Sequence, residues 1–294
     1  MGSKFKGVLL PLALLLPTFV VLGVFIYYTQ IQTFILSTYL VAFYGLHTTY
    51  VGFENYLRLF NSPGYLNSVR VTLLFSAGVL ALSMTAGLGL AMLVNLKIKG
   101  ARLYRIALIW PYALSPAVAG MLWLHLFSTN SGLVNYLIDS VSGGRPNWTG
   151  DGTLALLLVI FTAAWKQLGY NLVFYLAALQ NVPGELLEAA KIDGANAFQR
   201  FWAVTFKALS PTTFFLLITN LIYAFFDTFG MIDVMTAGGP VDATNVMIYN
   251  LYQDGFRNAN KTGIASAQSI MLLLLMAVLT WVQFRGQKKW VHYA

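Results

Sequence analysis

Residues 183–211 read PGELLEAAKIDGANAFQRFWAVTFKALSP. This is the most polar long segment of an otherwise apolar chain. A short helix is expected to begin near Pro183, because proline is well placed in a first helical turn, where its missing N–H is not needed. Glu185 and Glu188 then lie close to the positive end of that helix, where carboxylates are favoured. Gly194 is placed to end it, as glycine commonly does just past a helix C-terminus. Phe198, Phe201 and Trp202 follow at helical spacing and open a second, more apolar stripe. Apolar runs flank the whole segment, so it reads as a polar helical loop between two membrane spans.

Composition supports the same reading. Of 294 residues 58% are hydrophobic and 10% charged, against about 25% charged in soluble domains. This predicts an all-α integral membrane protein. The net charge of +8 lies between the apolar runs, which is the pattern of the positive-inside rule and not of a nucleic-acid footprint. There is no cysteine, so neither a disulfide framework nor a thiolate site is available. No G-x-x-x-x-G-K-[ST] loop is present; the nearest imitation, Lys261-Thr262, has Asn260 where glycine is required. The three histidines, His47, His125 and His292, are scattered and no H-E-x-x-H occurs, so a membrane enzyme has no catalytic constellation to build on.

A span needs roughly 20 mostly apolar residues. Six segments qualify, at 8–28, 68–95, 105–127, 154–179, 212–234 and 264–284. With the N-terminus inside, Lys4, Lys6, Lys97, Lys99, Arg102, Arg105, Lys191, Arg200, Lys207, Arg285, Lys288 and Lys289 are cytoplasmic. Only Arg58, Arg145, Arg257 and Lys261 face out. That asymmetry puts both termini in the cytoplasm. The long outer segment 29–67 contains Val51-Gly-Phe-Glu-Asn-Tyr-Leu-Arg-Leu-Phe60 and reads as an interfacial helix. Gly87, Gly89 and Ala91 offer close helix packing. The organisation expected is an N-terminal helix and outer loop over 1–65, a transmembrane core over 66–285 with the polar loop at 183–200, and a cytoplasmic tail over 286–294.

Ionisable residues inside spans are the best pointers to a pathway, because a charge at mid-bilayer costs about 2.5–3.5 kcal/mol on insertion scales. Lys166 lies mid-way along the fourth span, in Trp-Lys-Gln-Leu-Gly-Tyr-Asn from Trp165 to Asn171. Lys166 and Tyr170 share one side of that helix, as do Gln167 and Asn171. Gly169 leaves room for a ligand or another helix to approach. In the fifth span Asn220, Tyr223 and Asp227 fall at i, i+3 and i+7, beside Phe225, Phe226 and Phe229. Two roles fit Lys166 and Asp227: a structural ion pair between neighbouring helices, or contact with a transported molecule. His125, among Trp123, Leu124 and Phe127, reads as packing.

The spacing Glu188-Ala189-Ala190, three residues, Gly194 resembles the E-A-A loop of ABC importer permeases. Lys207 stands where that family usually has proline, so a differently shaped exit from the loop is expected; Pro211 matches a second proline of the pattern. Gly52-x-x-Asn55-Tyr56 and Thr236-x-Gly238-Gly239-Pro240 resemble segments of the carbohydrate-type members. Tyr223-Ala-Phe-Phe-Asp-Thr-Phe229 is similar to the A-type permease subunits of bacterial glycerol-3-phosphate importers. The resemblance covers nearly the whole chain and is strongest from Trp165 to Phe256.

It implies a type I ABC importer permease with six transmembrane helices, multi-pass in the bacterial inner membrane. The implied partners are a second, homologous permease subunit in a heterodimer, two ATPase subunits that carry ATP and Mg, and an extracytoplasmic substrate-binding protein. No cofactor is implied in this chain. Glu188, Ala189, Ala190, Asp193 and Gly194 would form a coupling helix docked on the ATPase. Tyr170, Phe226 and Asp227 match the sugar contacts of the maltose-type relatives, with Asp227 in place of an amide. Lys166, Tyr170, Asn171, Asn220, Tyr223, Phe226 and Asp227 thus form the expected substrate pathway. A phosphorylated polyol such as glycerol-3-phosphate fits the Lys and Asp pattern; a neutral sugar or oligosaccharide is the alternative. An ion-coupled secondary transporter is a further alternative, but no inverted repeat is visible.

The orientation is open to measurement in this cysteine-free chain. Single cysteines at Lys99, Arg200 and Lys288 are expected to resist a membrane-impermeant maleimide in intact cells, and those at Arg145 and Asp242 to react. The reverse pattern would overturn the assignment.

Overall fold

The computed structural model describes residues 9–42, 47–96, 101–257 and 261–290. Lys4, Lys6, Lys97, Lys99 and His292 lie outside these, as do the side chains of His47, Arg102, Lys288 and Lys289. The chain divides into two compact units: one takes the chain up to Ser62 together with Leu251–Leu273, the other Pro63–Asn250 together with the chain from Leu274 on.

In the first unit, α1 (Leu10–Ser37) is an apolar helix with almost every large side chain exposed. It runs nine residues past the expected end at residue 28. A two-stranded antiparallel hairpin follows, β1 (Tyr39–Ala42) against β2 (His47–Tyr50), and then α2 (Glu54–Phe60). The Gly52-x-x-Asn55-Tyr56 segment has a structural explanation. Gly52 takes φ +56° to turn the chain into α2. Buried Asn55 donates from Nδ2 to the carbonyls of Ser37 (2.8 Å) and Tyr39 (3.0 Å), and the Tyr56 hydroxyl meets Ser37 Oγ at 2.7 Å. These bonds tie α2 to the end of α1. Phe53, Leu57 and Phe60 are left exposed, the pattern of a helix lying at a bilayer surface.

The second unit contains α3 (Pro63–Asn95), α4 (Ala101–Ile109), a 3₁₀ turn Trp110–Ala113, α5 (Pro116–Leu126), α6 (Leu133–Ser142), α7 (Gly152–Gln180), α8 (Gly184–Ile192), α9 (Ala197–Asp227) and α10 (Phe229–Met235). The helices α11 (Met247–Tyr252) and α12 (Thr262–Trp290) close the order. Among the described residues five helices are long and apolar enough to cross a membrane, or six if the bent pair at 103–126 is one span. The expected span at 105–127 is therefore not a rod: its two halves meet at 106°. Leu114 and Ser115 are extended there (ψ 145° and 151°). Pro116 disfavours a helical conformation in the residue before it, and it is itself well suited to the first turn of α5. Ser115 caps that turn, accepting from Val118 N at 3.3 Å.

Three helices are clasped by buried amides. Asn171 on α7 and Asn220 on α9 exchange hydrogen bonds, Nδ2 of Asn220 to Oδ1 of Asn171 at 2.6 Å and the reverse at 3.2 Å. Asn220 also donates to Leu216 O (2.7 Å) and accepts from Ser83 Oγ on α3 (3.4 Å). All three residues are 0% exposed. Gly87 on α3 makes the approach possible: a Cβ there would lie 2.6 Å from Asn171 Cβ. Below the clasp pack Ala91, Val94, Leu172, Tyr175, Leu176, Leu209 and Leu216. Gly89, by contrast, has nothing near it.

The α9 helix leaves the loop through a π turn at Phe201–Thr205 and then continues past both Lys207 and Pro211. Lys207, in place of the usual proline, sits within it. Pro211 removes an N–H that would serve the Lys207 carbonyl, and Ser210 Oγ donates to that carbonyl at 2.7 Å instead. Such side-chain replacement is how prolines are tolerated in membrane helices.

Two stability measurements follow. Gly87→Val should lower the melting temperature of the solubilised protein by several degrees, since the added atoms meet α7. Asn220→Leu leaves a buried amide unpaired, at a cost of about 1–3 kcal/mol, so the Asn171→Leu/Asn220→Leu double variant should melt higher than either single one. A double variant as unstable as the sum of the singles would show that the amides do not act as a pair.

Candidate functional site

Two regions carry the expected site residues. The first is the polar loop. Helix α8 starts after Pro183, which is the capping residue and not yet helical. Its other end is closed by two bonds: Ala195 N to Ala190 O (3.0 Å) and Gly194 N to Lys191 O (3.1 Å). This is a Schellman motif, and it requires the residue after the cap to be left-handed; Gly194 has φ +78°. A capping box then opens α9. Asn196 Oδ1 accepts from Gln199 N at 2.9 Å, and Gln199 Oε1 accepts from Asn196 N at 2.8 Å. Arg200 donates to Ala195 O at 2.7 Å. The turn between the two helices is thus fully hydrogen-bonded. Glu188, Ala189, Asp193 and Gly194 are exposed and Ala190 is half-buried. Leu186, Ile192 and Phe198 expose apolar side chains beside them.

The second region is a cavity of about 440 Å³, lined by Tyr112, Pro116, Lys166, Gln167, Tyr170, Thr219, Tyr223 and Asp227. Four of the expected pathway residues meet here: Lys166, Tyr170, Tyr223 and Asp227. Three do not. Asn171 and Asn220 are sealed in the clasp between helices. Phe226 is exposed and is not part of the cavity lining.

The register explains part of this. Tyr223–Asp227 is a π turn, whose i→i+5 bonds accommodate an extra residue. The polar residues of α9 that face the cavity are Thr219, Tyr223 and Asp227, at spacings of four, and Asn220 turns towards α7. Tyr112 and Pro116 enter from the break between α4 and α5, which hydropathy alone does not reveal. Gly169 serves helix approach: a Cβ there would meet Leu108 O and Ile109 Cα at 2.8 Å. That contact brings the 3₁₀ turn, with Tyr112, over Tyr170. The two rings stack at 5.4 Å.

Lys166 is 6% exposed. Its Nζ lies 5.2 Å from the ring centre of Tyr112 and 5.5 Å from that of Tyr223, with the Tyr112 carbonyl at 3.5 Å. Among the described residues no carboxylate lies within 4.0 Å of it. Asp227 lines the same cavity without making an ion pair to it. Tyr223 is held from behind, its hydroxyl donating to Ala163 O at 3.3 Å. Gln167 is buried, and its Oε1 has no hydrogen-bond partner. The cavity thus presents a cation caged by aromatic faces, a carboxylate apart from it, and phenol, hydroxyl and amide groups. It can hold a small polar anion that also carries hydroxyls. No cluster of His, Cys, Asp or Glu suited to a metal ion occurs among the described residues.

Comparison with known proteins gives a consistent picture. The family described as binding-protein-dependent transport system inner membrane component matches residues 79–290. The sn-glycerol-3-phosphate transport system permease protein UgpA of Agrobacterium fabrum is 43% identical over 98% of this chain and 98% of its own length. Its counterpart from Brucella abortus is 44% identical over 99% and 98%. A crystal structure of a bacterial alginate ABC transporter, in complex with an alginate pentasaccharide-bound periplasmic protein, superposes with a TM-score of 0.83 at 22% identity, covering 96% of this chain and 94% of the other. That likeness establishes the fold, that of ABC importer permeases.

Proposed function

This chain belongs to the family of binding-protein-dependent transport system inner membrane components, and on that premise we propose that it imports sn-glycerol-3-phosphate or a closely related phosphorylated polyol. It is a multi-pass permease subunit of an ABC importer and not itself an enzyme. In the proposed assembly it pairs with a second permease subunit and two ATPase subunits that bind ATP and Mg. It receives substrate from an extracytoplasmic binding protein. The membrane is the bacterial inner membrane, with both termini and α8 in the cytoplasm.

The observation that carries the substrate reading is Lys166, a buried cation without a carboxylate partner in a mid-membrane cavity. A phosphate taken out of water needs a compensating charge and hydrogen bonds. Lysine supplies both as a point charge with three donors. The ring faces of Tyr112 and Tyr223 stabilise the ammonium between transport events, by about 0.5–2 kcal/mol for such contacts. Asp227 repels the phosphate end, so the hydroxyls of the substrate lie towards Asp227, which accepts from them, with Tyr170 and Thr219 alongside. The near-identical length and 43% identity to glycerol-3-phosphate permeases support this substrate over a neutral sugar.

On the other face, Glu188, Ala189, Ala190, Asp193 and Gly194 form the coupling element. The fully hydrogen-bonded turn and the exposed Leu186, Ile192 and Phe198 suit a rigid, partly apolar plug in an ATPase cleft. Alternating access follows: ATP-driven closure of the ATPase pair moves α8, α9 follows, and the wall carrying Thr219, Tyr223 and Asp227 opens to one side and then the other.

Lys166→Met should reduce uptake of radiolabelled glycerol-3-phosphate at least about tenfold, the scale of a lost charge-assisted hydrogen bond. The complex should still assemble. Adding Asp227→Leu should restore nothing. Recovery of uptake in the double variant would instead mark a structural pair, and normal uptake in both singles would remove the site.

For coupling, Gly194→Val forces a β-branched residue to positive φ and should uncouple ATP hydrolysis from uptake. Gly194→Asn, which tolerates that conformation, should retain most transport. Glu188→Lys should release the ATPase subunits on purification. Equal transport in the Val and Asn variants would refute the conformational role of Gly194.

A further inference from the structure

A second cleft lies away from the cavity, between residues 206–217 of α9 and the last turns of α12. It holds about 230 Å³ and is walled mainly by Phe206, Phe214 and Leu217 from α9 and by Val282, Gln283 and Gly286 from α12. The three α9 residues fall at i, i+8 and i+11, on one side of the helix. The two helices touch where the rings of Phe214 and Phe284 meet edge to face at 5.3 Å. Nothing lies within 4 Å of the place a Cβ would take on Gly286, so the glycine leaves the cleft open without serving the packing.

The place of the cleft in the bilayer follows from the chain. Helix α9 leaves the side of α8, and α12 returns to it. From Phe206 to Leu217 is roughly 16 Å at the rise of an α-helix, close to half of a hydrocarbon core about 30 Å thick. The cleft therefore has the length of one leaflet. Its mouth is basic. Lys207 follows Phe206, Arg285 precedes Gly286, and Lys289 stands three residues beyond Gly286, on the same face of α12. Arg285 rests over the ring of Trp281, 5.3 Å from its centre, a contact that leaves its edge N–H groups for an anion. Among the described residues neither Lys207 nor Arg285 has a carboxylate within 4.0 Å. These helices offer them none: the sequence has no Asp or Glu from Ala197 to Phe226, or from Thr262 to Ala294.

Apolar walls alone would not select an occupant, because a lipid tail gains nothing by leaving other tails. The cations and one amide do select. Gln283 Oε1 is shut off from solvent and has no hydrogen-bond partner. Its amide can turn to present the N–H₂ instead, losing no bond made by the oxygen. It stands one turn inward of the basic mouth, where the ester carbonyls of a glycerolipid lie when its phosphate is at the mouth. A helix of another subunit, about 10–12 Å across, is too broad for this space; a single acyl chain fits it. We infer that the cleft binds an anionic glycerophospholipid from the leaflet on the side of α8. One acyl chain lies along Phe206, Phe214, Leu217 and Val282, Gln283 donates to an ester carbonyl, and the phosphate meets Arg285 and its neighbouring lysines. Basic pockets between membrane helices take anionic headgroups in this way. The inference needs the chain to lie in a bilayer and needs no particular substrate.

The test uses the assembled importer, purified in detergent and supplied with a phosphatidylglycerol whose acyl chain carries a diazirine. Illumination should label the peptides spanning 206–217 and 282–287. An excess of unlabelled dioleoyl phosphatidylglycerol should cut that labelling about tenfold, and the same excess of dioleoyl phosphatidylcholine should leave most of it. Gly286→Leu fills the cleft with a side chain that meets no neighbour, and it replaces a glycine inside a helix by a better helix former. This variant should melt no lower than the parent and lose about tenfold in labelling. Arg285→Gln/Lys289→Gln, which alters charge at the mouth and leaves the walls alone, should bring the two competing lipids level. Equal competition by both lipids in the parent would mark ordinary lipid solvation and overturn the inference. Undiminished labelling in Gly286→Leu would place the tail elsewhere and do the same. So would absence of label in the assembled importer, which would show the cleft covered by another subunit.

Discussion

In hydrocarbon, a buried amide has nothing to bond with except what the protein supplies. Asn171 and Asn220 supply each other, and the distance at which they can do so fixes how close α7 and α9 must come. Ser83 and Gly87 extend the constraint to α3, the serine by bonding to the pair and the glycine by yielding space to it. Removing either amide alone would leave the other stranded. Once three helices are pinned at this level, the next turn of α7 towards its N-terminus has a defined neighbour on each side. One of those sides is the cavity. The polar groups that hold the bundle together and those that face the cavity are thus adjacent along the same helix, separated by a single residue step in places: Tyr170 lines the cavity, Asn171 the clasp.

The cavity exists because helices depart from regularity around it. The bend between α4 and α5 brings Tyr112 and Pro116 inward, and the π turn at Tyr223–Asp227 shifts the register of α9. Each departure frees backbone groups that must be bonded again. Ser115 caps the bend, Thr228 Oγ1 donates to Ala224 O at 3.0 Å beside the π turn, and Ser210 serves the carbonyl stranded by Pro211. Small hydroxyl side chains therefore do for the irregular helices what water does in a soluble protein.

Much of this was legible in the primary structure. Of the six spans that hydropathy marked, five fall on long helices, although the fifth, expected at 212–234, starts at Ala197 and ends at Asp227; Pro183, Gly194 and the acidic first turn located α8 to within a residue. Lys166, Tyr170, Tyr223 and Asp227 were recognisable because polar residues in apolar runs stand out. What hydropathy could not carry was direction. Asn220 and Thr219 are both polar, and only the position of Asn171 on α7, which takes Asn220 as its partner, leaves Thr219 to face the cavity. The broken span was signalled by Pro111 and by Ser115-Pro116, a capping residue followed by a helix-starting proline, but the apolar content on both sides masked the break. Tyr112 stayed hidden for the same reason, since its role depends on a backbone approach licensed by Gly169 on another helix. The length of α1 was missed because the polar Thr29, Gln30, Gln32 and Thr33 interrupt its apolar run, although the helix continues through them.

The length of α9, continuous despite its π turns, has a mechanical meaning. Its 31 residues span roughly 46 Å at the rise of an α-helix. At one end the hydrogen-bonded turn allows no slack between α8 and α9, and at the other stands the carboxylate of Asp227. Pinned near Asn220 by the clasp, such a rod behaves as a lever of unequal arms, the long one reaching back to Arg200 and the short one ending at Asp227. A displacement of several ångströms at the long end becomes about a third of that or less at the short end, with the force multiplied in proportion. A gearing of that kind trades travel for force, which is what a helix packed in a dense bundle requires if it is to shift at all.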